Sequence, residues 1–130
     1  MQTIMAEAPV ADLAGRRILV AEDEYMIAGQ VADELEVRQV QVVGPVPTVA
    51  KALKLIESGE ALDGAILDVN LHDEMIFPVA DALRVRGVPF VLSTGYDQAV
   101  VPPRFADVPR CEKPVDPVTL ADALARHLVG

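Results

Sequence analysis

The chain has 130 residues, 52% of them hydrophobic and 24% charged, a balance that fits one globular domain and excludes a disordered chain. A formal net charge of −9 argues against a protein that holds nucleic acid by neutralising phosphates. The single cysteine, Cys111, excludes an internal disulfide and a cysteine-based zinc site. The sequence shows no secretory signal and no apolar stretch of membrane-spanning length, so we expect a cytoplasmic protein without a membrane partner.

Apolar runs and helical patterns alternate five times along the chain. Strands are predicted at residues 17–21, 39–43, 63–68, 88–93 and 109–112, the second of them stopping at Gly44-Pro45. Helices are predicted over residues 24–37, from Thr48 to Ser58-Gly59, over 74–86, and from the capping residue Asp116 to the C-terminus.

This alternation predicts an α/β fold: a doubly wound, five-stranded parallel sheet of (βα)5 type with helices on both faces. The fourth helix is expected to be short or irregular, because residues 97–108 contain Pro102-Pro103 and little helical periodicity. The single domain is expected to span residues 15–130, after a flexible N-terminal extension of residues 1–14.

Acidic, hydroxyl and lysine side chains follow four of the five predicted strands. Glu22 and Asp23 follow the first strand, Asp68 ends the third, Thr94 follows the fourth and Lys113 the fifth. The carboxyl ends of parallel strands lie along one edge of a sheet, where ligands bind, so we expect these side chains to meet. Three carboxylates, one hydroxyl and one ammonium suit a divalent cation together with a phosphoryl group. His72 and His127 are interpreted as surface residues.

The stretches ILVAEDE, AILDVNL, PFVLSTGYD and RCEKPVD carry these residues, and in this order they resemble the receiver domain of two-component response regulators. The resemblance covers residues 16–129 and implies a flavodoxin-like receiver fold in which Asp68 accepts a phosphoryl group. It also implies Mg²⁺ or Mn²⁺ as cofactor, bound by Glu22, Asp23, Asp68 and the backbone carbonyl of Asn70.

The resemblance gives Thr94 and Lys113 the role of contacting the phosphoryl oxygens, and it pairs Lys113 with Asp68 in the unmodified protein. Pro114 follows a peptide bond that is commonly cis in this family and that helps to aim the lysine. Gly95 is expected to leave room beside the site.

Two features depart from the common receiver pattern. Many receivers carry an aromatic residue three positions before the lysine, where this chain has Arg110. Tyr96, in the stretch STGY, is similar instead to a subgroup of stand-alone receivers with a Thr-Gly-Tyr (FAT-GUY-like) motif and an irregular fourth helix. The hypothesis is that Tyr96 overlies the pocket and that phosphorylation orders residues 96–108.

The function implied is that of a single-domain response regulator, since no output domain is expected in a chain that ends at Gly130. It would take a phosphoryl group from a sensor histidine kinase or a phosphotransfer protein and act by binding a downstream protein, or by draining phosphate from a kinase. It is expected to be a monomer or weak dimer, to bind no nucleic acid, and to be no enzyme beyond its own phosphotransfer and dephosphorylation.

Two alternatives stay open. LDVN loosely resembles the nucleophile motif of haloacid-dehalogenase phosphatases, although that family wants a second aspartate where Asn70 stands. The other alternative is a pseudo-receiver, an interaction module that is never phosphorylated.

Overall fold

The computed structural model describes residues 12–95 and 101–129 of the chain. Its strands are β1 (Arg17–Ala21), β2 (Gln41–Val46), β3 (Gly64–Asp68), β4 (Asn70–Leu71), β5 (Glu74–Met75), β6 (Phe90–Thr94) and β7 (Arg110–Glu112). Its α-helices are α1 (Tyr25–Val37), α2 (Val49–Glu57), α3 (Phe77–Val85) and α4 (Pro117–Val129). A short 3₁₀ helix lies at Pro103–Phe105.

Five of the strands form one parallel sheet in the order β2-β1-β3-β6-β7. The order reverses between β1 and β3, which makes the crevice at their carboxyl ends the place where such sheets bind ligands. Apolar side chains cover both faces: α2 and α3 pack on one face, and α1 and α4 pack on the other. The predicted doubly wound parallel sheet is confirmed.

Helices α2 and α4 begin at their predicted capping residues. The Thr48 hydroxyl accepts a hydrogen bond from the Lys51 backbone N–H at 3.1 Å and so satisfies a free donor at the start of α2. The Asp116 carboxylate does the same for Val118 at 2.8 Å at the start of α4. Gly59 closes α2 with a φ of +85°, a conformation that glycine adopts without strain.

Strand β2 is longer than predicted, because it passes through Gly44-Pro45 and ends at Val46. β2 is an edge strand with an irregular register opposite Leu19 and Ala21, and a proline is tolerated in an edge strand at such a point. Its last residue has a consequence for the site, since the Val46 carbonyl accepts a hydrogen bond from the Glu22 N–H at 3.0 Å.

Helix α3 starts later than predicted, because residues 70–75 form a small antiparallel hairpin of β4 and β5 instead of a first helical turn. His72 and Asp73 make its two-residue turn with φ values of 48° and 67°. Ile76 follows the hairpin as a fully buried residue, and its N–H donates to the Val69 carbonyl at 2.8 Å. The hairpin is thereby fixed directly beside the end of β3.

A residue before the expected domain start at residue 15 packs against the core. Leu13 is 2% exposed and belongs to the core on the α1 and α4 side of the sheet. Residues 1–11 lie outside the described residues. Among the described residues, no helix combines the length and the apolar character needed to cross a bilayer.

The connection from β6 to β7 is held to the core by Phe105. This ring is fully buried, stacks on Phe77 of α3 at a centroid distance of 5.6 Å and meets the edge of Phe90 at 6.1 Å. The guanidinium groups of Arg104 and Arg84 lie 4.7 and 5.1 Å from its centroid. In its described part, the fourth crossover therefore has the irregular form predicted, with a single 3₁₀ turn.

Phe105→Ala is expected to lower the free energy of unfolding by about 3–5 kcal/mol, because it leaves a cavity between three elements and removes both ring contacts. Urea denaturation followed by circular dichroism measures this change. The control is Val85→Ala, at a side chain that is 88% exposed, which is expected to change stability by less than about 0.5 kcal/mol. Equal effects of the two substitutions would contradict the anchoring role of Phe105.

Candidate functional site

The carboxyl ends of β1, β3, β6 and β7 gather the predicted site residues at one edge of the sheet. β1 pairs with β3 through Ala21 and Leu67, so Glu22 follows directly beside Asp68. On the other side of β3, Asp68 pairs with Ser93, and Thr94 is the next residue along β6. The Lys113 N–H donates to the Thr94 carbonyl at 2.7 Å, which fixes the start of the β7–α4 loop at the same edge.

Three carboxylates form a cluster at this edge. One oxygen each of Glu22, Asp23 and Asp68 lies within 4.8 Å of the others. Glu22 and Asp68 are buried, with 6% and 4% of their surfaces exposed. Hard oxygen ligands at this spacing suit a small divalent cation, so these three residues could hold a metal ion.

Lys113 supplies the positive charge beside the cluster. Its Nζ lies 2.7 Å from Asp68 Oδ2 and 3.8 Å from Glu22 Oε1. Burial alone would lower the pKa of Lys113, but its hydrogen bond to Asp68 and the charges of Asp68 and Glu22 outweigh burial and raise that pKa. The Lys113–Pro114 peptide bond is cis, as the family resemblance implied.

Glu22 is the carboxyl group whose ionisation is most strongly perturbed. Burial raises the pKa of Glu22 to about 8, and the neighbouring carboxyl of Asp68 acts in the same direction. The Glu24 backbone N–H, which donates to Glu22 Oε2 at 3.0 Å, and the Lys113 charge oppose this shift without cancelling it. In the absence of a further cation, the cluster therefore retains a proton at neutral pH.

The β4–β5 hairpin holds the two aspartates of the cluster, Asp68 and Asp23, in place. The Asn70 N–H donates to Asp68 Oδ1 at 3.2 Å, and the His72 N–H donates to Asp23 Oδ2 at 3.0 Å. The Asn70 side chain accepts the Asp73 N–H at 2.9 Å and closes the turn. A metal-binding role for the Asn70 carbonyl stays a prediction.

His72 was interpreted from the sequence as a surface residue and not as a member of the site. Its side chain is 58% exposed, yet its Nδ1 lies 3.8 Å from Asp23 Oδ2. The sequence predicts a helix from residue 74, and a helix there gives no reason to fold His72 back onto Asp23. Pairing Asn70–Leu71 with Glu74–Met75 brings it there.

Thr94 is 1% exposed, and its Oγ1 has no hydrogen-bond partner among the described residues. A buried hydroxyl without a partner costs about 1–3 kcal/mol, and Thr94 is therefore placed to donate a hydrogen bond to a ligand bound at this edge. The Ser93 hydroxyl also has no hydrogen-bond partner within the described part of the chain, and Ser93 is not among the residues predicted for the site.

Gly95, Tyr96 and Arg110 are the remaining residues that the sequence relates to the site. Gly95 is exposed, and a Cβ added there would have no described atom within 4 Å, so packing does not require glycine in the unliganded chain. Tyr96 lies outside the described residues. Arg110 donates to the Phe105 carbonyl at 3.3 Å and so holds the 3₁₀ turn. Phe105 and Val108 are buried, and the hypothesis that phosphorylation orders residues 96–108 stays a prediction.

Comparison with known proteins gives matches among solved structures. No protein-family model matches the chain, and no curated protein does. SdrG from Sphingomonas melonis Fr1 is 45% identical over 88% of this chain and 97% of that chain, with a TM-score of 0.76. A second SdrG structure, described as the BeF3-activated conformation, covers 88% of this chain and 98% of that one at 45% identity, with a TM-score of 0.70.

A response regulator receiver protein from Sinorhizobium medicae WSM419 is 25% identical over 88% of this chain and 95% of that chain, with a TM-score of 0.77. The fold of the present chain is thus that of a receiver domain. The chain belongs to the family of response regulator receiver domains. Membership of the Thr-Gly-Tyr subgroup stays a prediction.

The raised pKa of Glu22 predicts how stability depends on pH in metal-free buffer. Below pH 4.5 the folded and unfolded states both hold the proton; between 4.5 and about 8 only the folded state does. The free energy of unfolding should therefore fall as pH rises through this window, by on the order of a few kcal/mol in all.

The measurement is urea denaturation at pH values from 5 to 8, with a chelator present, for wild type and Glu22→Gln. The stability of wild type relative to Glu22→Gln should decline with pH, because a glutamine does not titrate. Glu24→Gln, which alters the exposed neighbouring carboxylate, is the matched control and should keep the slope of wild type. A parallel pH dependence in wild type and Glu22→Gln would show that Glu22 titrates normally.

Proposed function

We propose that this chain is a single-domain response regulator that accepts a phosphoryl group on Asp68 from the phosphohistidine of a sensor kinase or a phosphotransfer protein. The observation that carries the proposal is the environment of the Asp68 carboxylate. It is buried at the carboxyl end of a strand whose residues are all buried, it is paired with Lys113 at 2.7 Å, and two further carboxylates lie beside it. An aspartate with only a structural role on the surface would not need to be buried beside two other carboxylates.

In the proposed reaction an oxygen of Asp68 forms a bond to phosphorus while the bond from phosphorus to the donor imidazole nitrogen breaks, and the histidine leaves with the electron pair of that bond. Rigid placement of Asp68 is the main contribution of the sheet, because phosphoryl transfer depends on position and charge neutralisation. A Mg²⁺ or Mn²⁺ ion held by Glu22, Asp23 and Asp68 would neutralise charge on the phosphoryl oxygens.

Lys113 and Thr94 are proposed to contact the incoming phosphoryl group. The Lys113 ammonium pairs with Asp68 in the unmodified chain, and it can transfer this ion pair to a phosphoryl oxygen with little movement. The Thr94 hydroxyl has no partner to give up among the described residues, so it is free to donate to another phosphoryl oxygen. The chain thus holds donors ready for negative charge that arrives with the ligand.

The signalling output is proposed to be binding to a downstream protein. The structure of SdrG described as BeF3-activated belongs to a protein 45% identical to this one, and it supports a phosphoryl-dependent change of state in the present chain. We propose no enzymatic role beyond phosphotransfer to Asp68 and its reversal.

Incubation with acetyl phosphate and Mg²⁺ tests the acceptor. Intact-mass spectrometry should show the addition of one phosphoryl group to wild type, and none to Asp68→Asn, which has no nucleophilic carboxylate. Asp73→Asn is the matched control, because Asp73 is an exposed aspartate in the adjacent hairpin and asparagine tolerates its left-handed backbone. It should be modified as wild type is.

Other outcomes of the same experiment would favour the alternatives. Continuous release of phosphate over many turnovers would indicate a phosphatase with an aspartyl-phosphate intermediate. No adduct with acetyl phosphate and none with a panel of phosphorylated kinases would indicate a pseudo-receiver.

Thr94→Val is expected to slow phosphorylation without lowering the stability of the unmodified protein. It removes a buried hydroxyl without a described partner, so the unmodified protein should be unchanged or more stable by about 1 kcal/mol. Phosphorylation by acetyl phosphate should slow by about tenfold, the lower end of the effect of losing one hydrogen-bond donor. Thr94→Ser keeps the hydroxyl and should retain the wild-type rate; a loss of stability in Thr94→Val without a change in rate would contradict the assigned role.

A further inference from the structure

The chain places a histidine at the rim of the acidic cluster, and the function proposed above assigns it no role. The His72 imidazole Nδ1 is 3.8 Å from Asp23 Oδ2, the carboxylate oxygen that also accepts the His72 N–H at 3.0 Å. Two donor atoms that share one metal ion at about 2.0–2.2 Å each lie roughly 3 Å apart in neighbouring coordination positions. The imidazole is therefore within a small movement of the position it would take beside Asp23 on a common ion.

The backbone at this point is fixed while the ring is free to turn. His72 and Asp73 form the two-residue turn of the β4–β5 hairpin, and Asn70 and Asp23 each accept a hydrogen bond from that turn. With 58% of its surface exposed, the His72 side chain is mostly in contact with solvent, and binding a shared ion requires it to rotate toward Asp68 and Glu22. The ring contacts Asp23 alone among the three acids in the present arrangement, so this rotation is required.

A nitrogen ligand changes which ions such a site prefers. Carboxylate oxygens alone suit Mg²⁺, which is hard and reluctant to lose water, whereas imidazole suits borderline ions of the first transition series and Zn²⁺. The buried Thr94 hydroxyl without a described partner independently indicates that this edge of the sheet is built for a ligand.

We propose that His72 is an additional ligand of the divalent cation at this edge, through an imidazole nitrogen, and that it makes the site selective for borderline transition-metal ions over Mg²⁺. The inference rests on the metal site of the proposed function and goes beyond it, because that function needs only oxygen ligands. The probe for it is Zn²⁺, which is diamagnetic and binds imidazole well.

The test uses the full chain and exploits the presence of only two histidines, His72 and His127. Carbon–proton correlation spectra of the imidazole rings are recorded during titration with Zn²⁺ and, separately, with Mg²⁺. The His72 signals should shift with Zn²⁺ while those of His127, on helix α4, stay in place. His127→Asn assigns the signals and serves as the control for affinity.

Calorimetry gives the second readout. His72→Asn should weaken Zn²⁺ binding by at least about tenfold, the scale on which even indirect partners of metal ligands change affinity. The same substitution should change Mg²⁺ affinity by less than about twofold, because Mg²⁺ relies on the carboxylates. Asparagine is chosen over alanine since it tolerates the left-handed backbone of His72 and so preserves the hairpin.

Each outcome decides the inference separately from the proposed function. Unshifted His72 signals, an unchanged Zn²⁺ affinity in His72→Asn, or an equal response of His127 to Zn²⁺ would overturn the assignment of His72. None of these results would contradict the metal site of the proposed function, provided that wild type binds Mg²⁺ and Asp23→Asn does not. Failure of wild type to bind either ion would instead overturn the metal site on which both proposals depend.

Discussion

The ion pair between Lys113 and Asp68 is the interaction on which the site depends. Three carboxylates within 4.8 Å of one another repel, and two of them are buried, where repulsion is screened least. A single ammonium at 2.7 Å from Asp68 offsets part of this charge and leaves an excess of negative charge. Burial, with a smaller contribution from the Asp68 carboxyl, raises the pKa of Glu22 to about 8, so Glu22 gives up its proton less readily than an ordinary carboxyl group does.

The hydrophobic sheet is what makes this arrangement tolerable. Every residue of β3 is buried, so Asp68 cannot move outward to relieve the repulsion without disrupting the core. Two peripheral features complete the constraint: the extended end of β2 holds Glu22 through the Val46 carbonyl, and the β4–β5 hairpin holds Asp23 through the His72 N–H. Packing energy from the core thus stabilises a charge cluster that is unfavourable by itself, and a bound cation relieves the cluster.

The sequence predicted the parts of this structure that follow from periodicity and chain order. Buried parallel strands appear in the sequence as continuous apolar runs, and their carboxyl ends must share one edge, so the meeting of Glu22, Asp68 and Lys113 is predictable from the sequence. The β4–β5 hairpin could not, because two-residue strands have no periodicity to detect. Proline inside β2 and the burial of Leu13 depend on tertiary surroundings, an edge position and a core contact, that composition does not show.

The β6–β7 connection differs from that of many receivers at Arg110, and this difference bears on how a change at Thr94 could be transmitted. Receivers with an aromatic three residues before the lysine can couple it to the threonine, but Arg110 occupies that position here and its guanidinium holds the Phe105 carbonyl. Phe105 is in turn fixed between Phe77 and Phe90, and Arg104 forms an ion pair with Asp81 of α3. The part of the β6–β7 connection around Phe105 is therefore attached to α3 before any movement of Thr94. Breaking the aromatic contacts of Phe105 would cost more than the hydrogen bond that Thr94 would gain from a ligand, so we expect the described half of the connection to keep its attachment to α3.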